Sequence, residues 1–103
     1  MSIKTNRGTP VTATATHGTA PTATVTGIAN QTTFITQAGA SSDKSGSILL
    51  IKSGTTVIWQ EQVGASFCNL SFDPPLACAV GADATVTIDS TNAGKANING
   101  TQM

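Results

Sequence analysis

The chain has 103 residues, five basic and five acidic side chains, and no net charge at neutral pH. Charged residues make up only 10% of it, so no global field attracts it to nucleic acid or to an anionic membrane. Its length suits one domain with a single hydrophobic core and excludes two. Threonine, alanine, glycine and serine predominate and long helix-forming stretches are missing, which favours an all-β fold with many turns.

The first 26 residues form a compositionally biased segment. Between Thr9 and Thr26, eight of eighteen residues are threonine, and the TATAT of Thr12–Thr16 recurs as TATVT in Thr22–Thr26. The apolar partners in this alternation are mostly alanine, which buries too little surface to offset an ordering cost of about 1–2 kcal/mol per residue. We therefore predict an extended N-terminal arm over residues 1–26, followed by a β-sandwich domain over residues 27–103.

A second interpretation of the same segment is a pair of edge strands that belong to the domain. Pro10 and Pro21 each precede one of the two threonine repeats, a position at which an edge strand tolerates proline. The two interpretations differ in whether the segment pairs with the rest of the chain or extends away from it to bind a partner.

The stretch Ser45–Gln62 predicts the central β-hairpin. Two apolar runs, Ile48–Ile51 and Val57–Trp59, flank a short connection that contains Gly54, and glycine suits a tight reversal because one residue there takes a positive φ. Ile48–Ile51 is apolar at every position, which predicts a strand covered on both faces. Trp59 is the single tryptophan and the largest apolar side chain, so we predict that it lies at the centre of the core.

Further short strands follow at intervals of about ten residues, separated by turns that contain Gly or Pro. This pattern is typical of an antiparallel β-sandwich, and a jelly-roll-like and an immunoglobulin-like topology are both compatible with it. Asp73-Pro74-Pro75 is predicted to end a strand, because successive prolines cannot continue a ladder. The predicted strands are Thr33–Thr36, Phe67–Phe72, Leu76–Val80, Ala84–Asp89 and Lys95–Gly100, and the main turn between the first of them and the hairpin is Ala38–Asp43.

The sequence offers little chemistry. His17, the single histidine, has no cysteine or carboxylate at a metal-ligand spacing, which predicts that there is no metal site. The acidic residues fall in turns or at strand ends, and none forms a pair in the sequence. A phosphate-binding glycine loop and a serine nucleophile elbow are both missing. We expect a protein without catalytic residues, without a cofactor and without enzymatic activity.

Cys68 and Cys78 are the only cysteines, and both lie on faces predicted to point inward. They are either buried thiols that act as small hydrophobes, or a disulfide that braces the Asp73–Pro75 loop and contributes about 2–3 kcal/mol. The N-terminal residues lack the apolar core of a secretory signal, and no run reaches transmembrane length. We therefore expect synthesis in the cytoplasm, which favours reduced thiols, whereas a particle that leaves the cell could become oxidised.

Several features together resemble the small structural proteins of tailed-bacteriophage virions, in particular capsid decoration or cement proteins. They are the N-terminal arm, the hairpin Leu50–Trp59, the segment Leu70–Leu76 and the closing segment Lys95–Gly100. The resemblance implies a compact β-domain, commonly a homotrimer, that is made in the host cytoplasm and sits on the capsid surface of the virion. It implies binding to the major capsid protein, whose neighbouring subunits it clamps, and it supplies no catalytic residues.

On this interpretation the N-terminal arm makes the capsid contacts, through added strands or extended main-chain hydrogen bonds. We expect those contacts at Ile3, Lys4, Arg7 and Val11, because capsid surfaces are often acidic and Ile3 is the large apolar side chain near the start. A symmetric oligomer would multiply such weak contacts into avidity.

Two alternatives remain open. One is a tail, connector or fibre component of a virion, which the sequence does not separate from a decoration protein. The other is a carbohydrate-binding β-sandwich module, which needs exposed aromatic rings to stack on sugars. Trp59 and the three phenylalanines all lie on strands predicted to be buried. An exposed Trp59 would therefore favour the carbohydrate-binding alternative.

Overall fold

The computed structural model describes residues 8–64, 67–89 and 91–103. These residues form β-strands and turns, and no helix among them is long and apolar enough to cross a membrane. The strands are β1 (Thr9–Thr19), β2 (Thr22–Val25), β3 (Thr33–Ser42), β4 (Ser47–Ser53), β5 (Thr56–Val63), β6 (Cys68–Ala77), β7 (Ala84–Ile88) and β8 (Ala93–Gln102).

The strands form two four-stranded sheets packed into a β-sandwich, which confirms the predicted fold class. Sheet I has the order β1-β8-β3-β6, and sheet II has the order β2-β7-β4-β5. All of the pairings in both sheets are antiparallel. The edge strands are therefore β1 and β6 in sheet I, and β2 and β5 in sheet II.

The core lies between the sheets and consists of aliphatic side chains from both. Alternation along each strand directs every second side chain inward, as the period of a β-strand requires. The largest apolar side chains that are fully buried are Ile35 and Ile98 from sheet I and Leu49, Ile51 and Val86 from sheet II.

The stretch from Thr9 to Val25 belongs to the two sheets and is not an extended arm, so the boundary predicted at residue 26 is corrected. β1 pairs with β8 along most of its length, and β2 pairs with β7. Burial of alanine alone would not order this segment, but the ladder hydrogen bonds and the packing of Val11, Ala13 and Ala15 against the core do. Both strands are sheet edges, as the alternative interpretation expected.

Two strands are longer than the sequence predicts. β3 continues through the glycine- and serine-rich segment, because Ala38 and Ala40 are small core side chains that face the opposite sheet. β6 continues past Asp73-Pro74-Pro75, which is possible because it is an edge strand. Its ladder with β3 is interrupted there, since Gln37 pairs with Ser71 and Ile35 with Leu76.

The central hairpin is confirmed, with a two-residue loop between β4 and β5. Gly54 occupies the first loop position with φ of 61°, in the left-handed region that glycine adopts without steric cost. Along Ile48–Ile51 the pattern alternates: Leu49 and Ile51 are fully buried, whereas Ile48 and Leu50 are half-buried. The prediction that both faces of β4 are fully covered is therefore wrong for the outer face.

Trp59 does not lie at the centre of the core, and its side chain is 41% exposed. It sits on β5, the free edge of sheet II, where there is no further strand to cover it. Trp59 pairs with Ile51 and therefore lies on the inner face of sheet II, while the register shift that follows lets Ile58 pack against the core as well. The edge position of β5 explains why the largest apolar side chain remains accessible.

Candidate functional site

Of the four predicted capsid contacts, Val11 lies within the described residues. Ile3, Lys4 and Arg7 lie outside the described residues. Val11 lies on β1 opposite Gly100, is half-buried and packs against the hydrophobic core. Its side chain therefore contributes to the packing of the domain, and its role as a capsid contact stays a prediction.

Cys68 and Cys78 are free thiols, half-buried and buried respectively, and no disulfide joins them. Of the two predicted alternatives, the structure therefore has the free thiols. Cys68 pairs with Ala40 on β3, whereas the backbone N–H of Cys78 donates to the carbonyl of Thr33, also on β3. These two positions on β3 are about 20 Å apart at the rise of a strand. The Cα atoms of a disulfide lie within about 7 Å of each other, so this register separates the two thiols.

Burial raises the pKa of the Cys78 thiol above its usual value, and a hydrogen bond with Ser53 offsets part of this shift. The Ser53 hydroxyl also accepts a hydrogen bond from the backbone N–H of Ala79, with N and O 2.8 Å apart. The raised pKa keeps Cys78 protonated, and its thiol packs in the hydrophobic core as a small apolar side chain.

His17 contacts a carboxylate, which the sequence spacing did not predict. Its Nε2 lies 2.9 Å from Oδ2 of Asp43, and both side chains are more than half exposed. The pair joins β1 to the turn that follows β3. Among the described residues no group of three or more His, Cys, Asp or Glu side chains is arranged to hold a metal ion.

The most distinctive surface feature is a pair of aromatic rings that we call the aromatic edge, formed by Trp59 and Phe72. The ring centroids are 5.2 Å apart and the ring planes meet at 79°, an edge-to-face arrangement. Trp59 belongs to β5 of sheet II and Phe72 to β6 of sheet I, so the pair spans the side of the sandwich between two edge strands.

Phe72 is half-buried and packs against the core, whereas Trp59 is exposed. Phe72 therefore contacts the indole from the side of the core, and the rest of the indole is accessible to solvent. One carboxylate lies on the same side as the rings: Glu61 is two residues from Trp59 on the same face of β5, about 7 Å along the strand. Asp73 directly follows Phe72 on β6, where successive side chains point to opposite faces. Glu61 and Asp73 are both exposed.

Chemically, the aromatic edge combines a flat apolar ring with hydrogen-bond acceptors at its margin. Such a surface can stack on the apolar face of a planar or ring-shaped ligand while the Glu61 carboxylate accepts hydrogen bonds from its hydroxyl groups. Sequence reasoning missed the aromatic edge because it assigned the tryptophan to the core by size. The signal that could have found it is the run Gln60-Glu61-Gln62, which is too polar for a strand with covered faces.

A second exposed apolar surface lies at the end of the sandwich where β1 starts and β8 ends, and we call it the apolar pole. It comprises Ile28, Val80 and Met103, whose side chains are 45%, 67% and 49% exposed. The loops that carry them are joined by backbone hydrogen bonds, from Gly81 N–H to the Gln31 carbonyl and between Thr32 and Met103.

No protein-family model matches the chain, and no curated protein matches it. Among solved structures, the chain is similar to the C-terminal CBM6, a carbohydrate-binding module, of LamC, a marine laminarinase from Zobellia galactanivorans. The TM-score is 0.52 at 10% sequence identity, and the alignment covers 89% of this chain and 98% of that one. This likeness establishes the fold alone. It shows that a chain of this size forms the same kind of β-sandwich without detectable sequence relationship.

Proposed function

We propose that this protein is a non-enzymatic module that binds a neutral polysaccharide, with the aromatic edge as its contact surface. The observation that carries the proposal is the exposure of Trp59, the single tryptophan, at a position fixed by Phe72. Only 4% of the residues are aromatic, and the largest of these rings is accessible. The protein therefore forgoes the stabilisation that burial of this ring would give, unless a ligand covers it.

The charge balance supports a neutral ligand. The chain carries no net charge, and the residues nearest the aromatic edge in sequence that carry charge are the acids Glu61 and Asp73. An anionic polysaccharide or a nucleic acid would be repelled by these groups, whereas the hydroxyl groups of a neutral sugar stacked on Trp59 can donate hydrogen bonds to Glu61. The CBM6-like fold is consistent with this function, although fold alone does not imply it.

The proposal is tested by electrophoresis of the purified protein in native gels that contain laminarin, soluble cellulose derivatives, xylan or mannan. We expect retardation by at least one of these polysaccharides, and a change in tryptophan emission on titration with it. Because Trp59 is the single tryptophan, the emission reports on this site alone.

The decisive variant is Trp59→Ala, for which we expect at least a tenfold loss of affinity, equivalent to about 1.4 kcal/mol. The matched control is Val57→Ala, because Val57 lies on the same strand, is 39% exposed and points to the opposite face. Retardation by none of the polysaccharides, or equal affinity of Trp59→Ala and the wild type, would overturn the proposal.

A second candidate function is capsid decoration, which the sequence resemblance implies. The specific observation in its favour is the apolar pole, where Gly8 lies against Gln102 and Met103. Gly8 is preceded in the chain by the predicted contacts Ile3, Lys4 and Arg7. A partner bound at the apolar pole would therefore also be within reach of these three residues. Because β1 and β2 pair within the domain, the stretch Thr9–Val25 is not a free arm that could reach a capsid subunit.

The two candidates are separated by co-sedimentation with purified phage particles that lack the protein. Decoration predicts that deletion of residues 2–7, or Val80→Asp, reduces particle occupancy while Trp59→Ala leaves it unchanged. Occupancy that is insensitive to both changes at the pole would exclude this surface as the docking site.

A further inference from the structure

The outer face of sheet I is a flat polar surface that the aromatic edge does not include. Across its four strands the pairing places Thr12, Asn99, Gln37 and Ser71 in one row. Residues paired directly across a sheet share a face and lie within contact distance of their neighbours. The side chains in this row carry hydroxyl and carboxamide groups and no charge.

Hydrogen bonds link the side chains of Thr12, Asn99 and Gln37 in this row. The Thr12 hydroxyl donates to Oδ1 of Asn99 over 2.7 Å, and Nδ2 of Asn99 donates to Oε1 of Gln37 over 3.1 Å. Gln37 ends this chain of bonds, and its Nε2 carries two further donor hydrogens. A preorganised array of this kind loses little side-chain entropy when it binds a ligand.

The adjacent row contains Thr14, Asn97, Gly39 and Asn69. Phe67 lies over this row at Gly39, since a Cβ added to Gly39 would be 2.8 Å from Cζ of Phe67. The glycine thus leaves the space into which the ring settles, and the ring remains 42% exposed. The Phe67 ring therefore lies at Gly39, between the paired residues Asn97 and Asn69, which both carry a carboxamide group.

Asn97, in the same row, carries a buried hydrogen-bond acceptor, Oδ1, that has no partner among the described residues. Asn97 pairs with Gly39, so the unpaired acceptor is next to the place that Phe67 covers. Buried acceptors are almost always paired in folded proteins, and an unpaired one reduces stability unless it has another role.

We propose that Phe67, Asn97 and the row Thr12–Asn99–Gln37 form a second binding site for the same class of ligand, a neutral sugar chain. The exposed ring stacks on one sugar unit, and the next unit lies over the amides, with a hydroxyl group donating to Asn97 Oδ1 after a small displacement of the ring. The ligand class rests on the proposed function, whereas the location does not depend on the aromatic edge.

The two sites lie on opposite faces of the same edge strand. Asn69 and Ser71 of β6 lie on the outer face, as does the ring of Phe67 just before the strand, whereas Leu70 and Phe72 pack inward. A polysaccharide that occupies both sites would pass around β6. Binding of one polysaccharide at both sites would raise its overall affinity by an effective-concentration effect.

The proposal is tested with laminarin, xylan and mannan in native gels, on Phe67→Ala, Asn97→Ala and the control Thr24→Ala, which lies on the outer face of sheet II. We expect an affinity loss of about three- to tenfold for the first two variants and none for the control. The tryptophan emission change at saturating polysaccharide should persist in all three, because Trp59 is untouched.

Asn97→Ala distinguishes a binding role from a structural one. It removes a buried acceptor that has no partner, so the thermal midpoint should stay the same or rise while the affinity falls. Unchanged affinity of both Phe67→Ala and Asn97→Ala, with loss of binding in Trp59→Ala, would overturn the second site and leave the proposed function intact. Absence of binding by the wild type would overturn both. If Phe67→Ala fails to fold, the Asn97→Ala result alone decides.

Discussion

Trp59 and Phe72 contact each other edge to face across the side of the sandwich, although their strands belong to different sheets. The contact closes the side formed by β5 and β6, where no backbone ladder joins the sheets. It also holds the single tryptophan in one orientation, and it therefore links the stability of that side to the geometry of the candidate site.

We expect Phe72→Ala to weaken both properties. Loss of a half-buried ring and of the edge-to-face contact should lower the free energy of unfolding by about 1–3 kcal/mol. The indole should then become mobile, with emission at longer wavelength and weaker polysaccharide binding. Urea unfolding and fluorescence anisotropy measure the two effects. Unchanged anisotropy in a folded Phe72→Ala variant would contradict a positioning role for Phe72.

Truncation at the N-terminus should have two very different outcomes. Removal of residues 2–7 leaves every described strand in place, so the thermal midpoint should change by little. Removal of residues 2–26 deletes β1 and β2, exposes the ladders of β8 and β7, and uncovers the core side chains Ile98 and Val86. We expect the shorter chain to be unfolded or aggregated in circular dichroism and light scattering. A cooperative transition in the 27–103 chain would contradict the pairing seen here.

The thiols should differ in reactivity and in their effect on alkaline stability. Cys78 is buried, so alkylation of the native protein should be slower at Cys78 than at the half-buried Cys68. Its raised pKa means that above about pH 8.5 the unfolded state releases a proton that the folded state retains. Stability should therefore fall as the pH rises beyond that point. Cys78→Ala should remove this component of the decline, measured by urea unfolding between pH 7 and pH 10.

Gly39→Ala should displace Phe67 from the outer face of sheet I. The added Cβ would lie 2.7 Å from the Cys68 carbonyl oxygen and 2.8 Å from Phe67 Cζ, closer than such atoms approach in folded proteins. We expect a loss of about 1–3 kcal/mol in stability, together with the binding loss of Phe67→Ala. Gly18→Ala is the matched control, since its Cβ would meet only the Thr16 carbonyl oxygen at 3.7 Å. Equal stability of the two variants would contradict the close approach of the ring.

The sequence was sufficient to predict the all-β class, the sandwich and the β4–β5 hairpin, because these depend on local alternation and on turn residues such as Gly54. The strand ends were harder to predict. Pro74 and Pro75 indicated a strand end, but an edge strand accepts them, and edge position is a property of the assembled sheet. The small residues of β3 suggested a turn, although alanine on a core face is equally compatible with a strand.

The candidate site was less predictable than the fold. The size of Trp59 suggested burial, and only the strand order places it at a free edge. Similarly, the row Thr12–Asn99–Gln37 joins residues separated by more than sixty positions in the chain, so no spacing in the sequence brings them together. Thr-rich repeats indicated low burial, but their pairing with β8 and β7 is a long-range interaction that composition does not reveal.

The first and last described residues lie side by side, since Gly8 contacts Met103 and Thr9 pairs with Gln102. In a chain shortened to residues 8–103, a short linker could therefore join Met103 to Gly8 without disturbing a strand, and the backbone could then be reopened at the exposed turn that contains Gly46. Such a permuted chain would present the same sandwich with its attachment point moved to the opposite end. A display scaffold could thus be tethered at either end of the molecule.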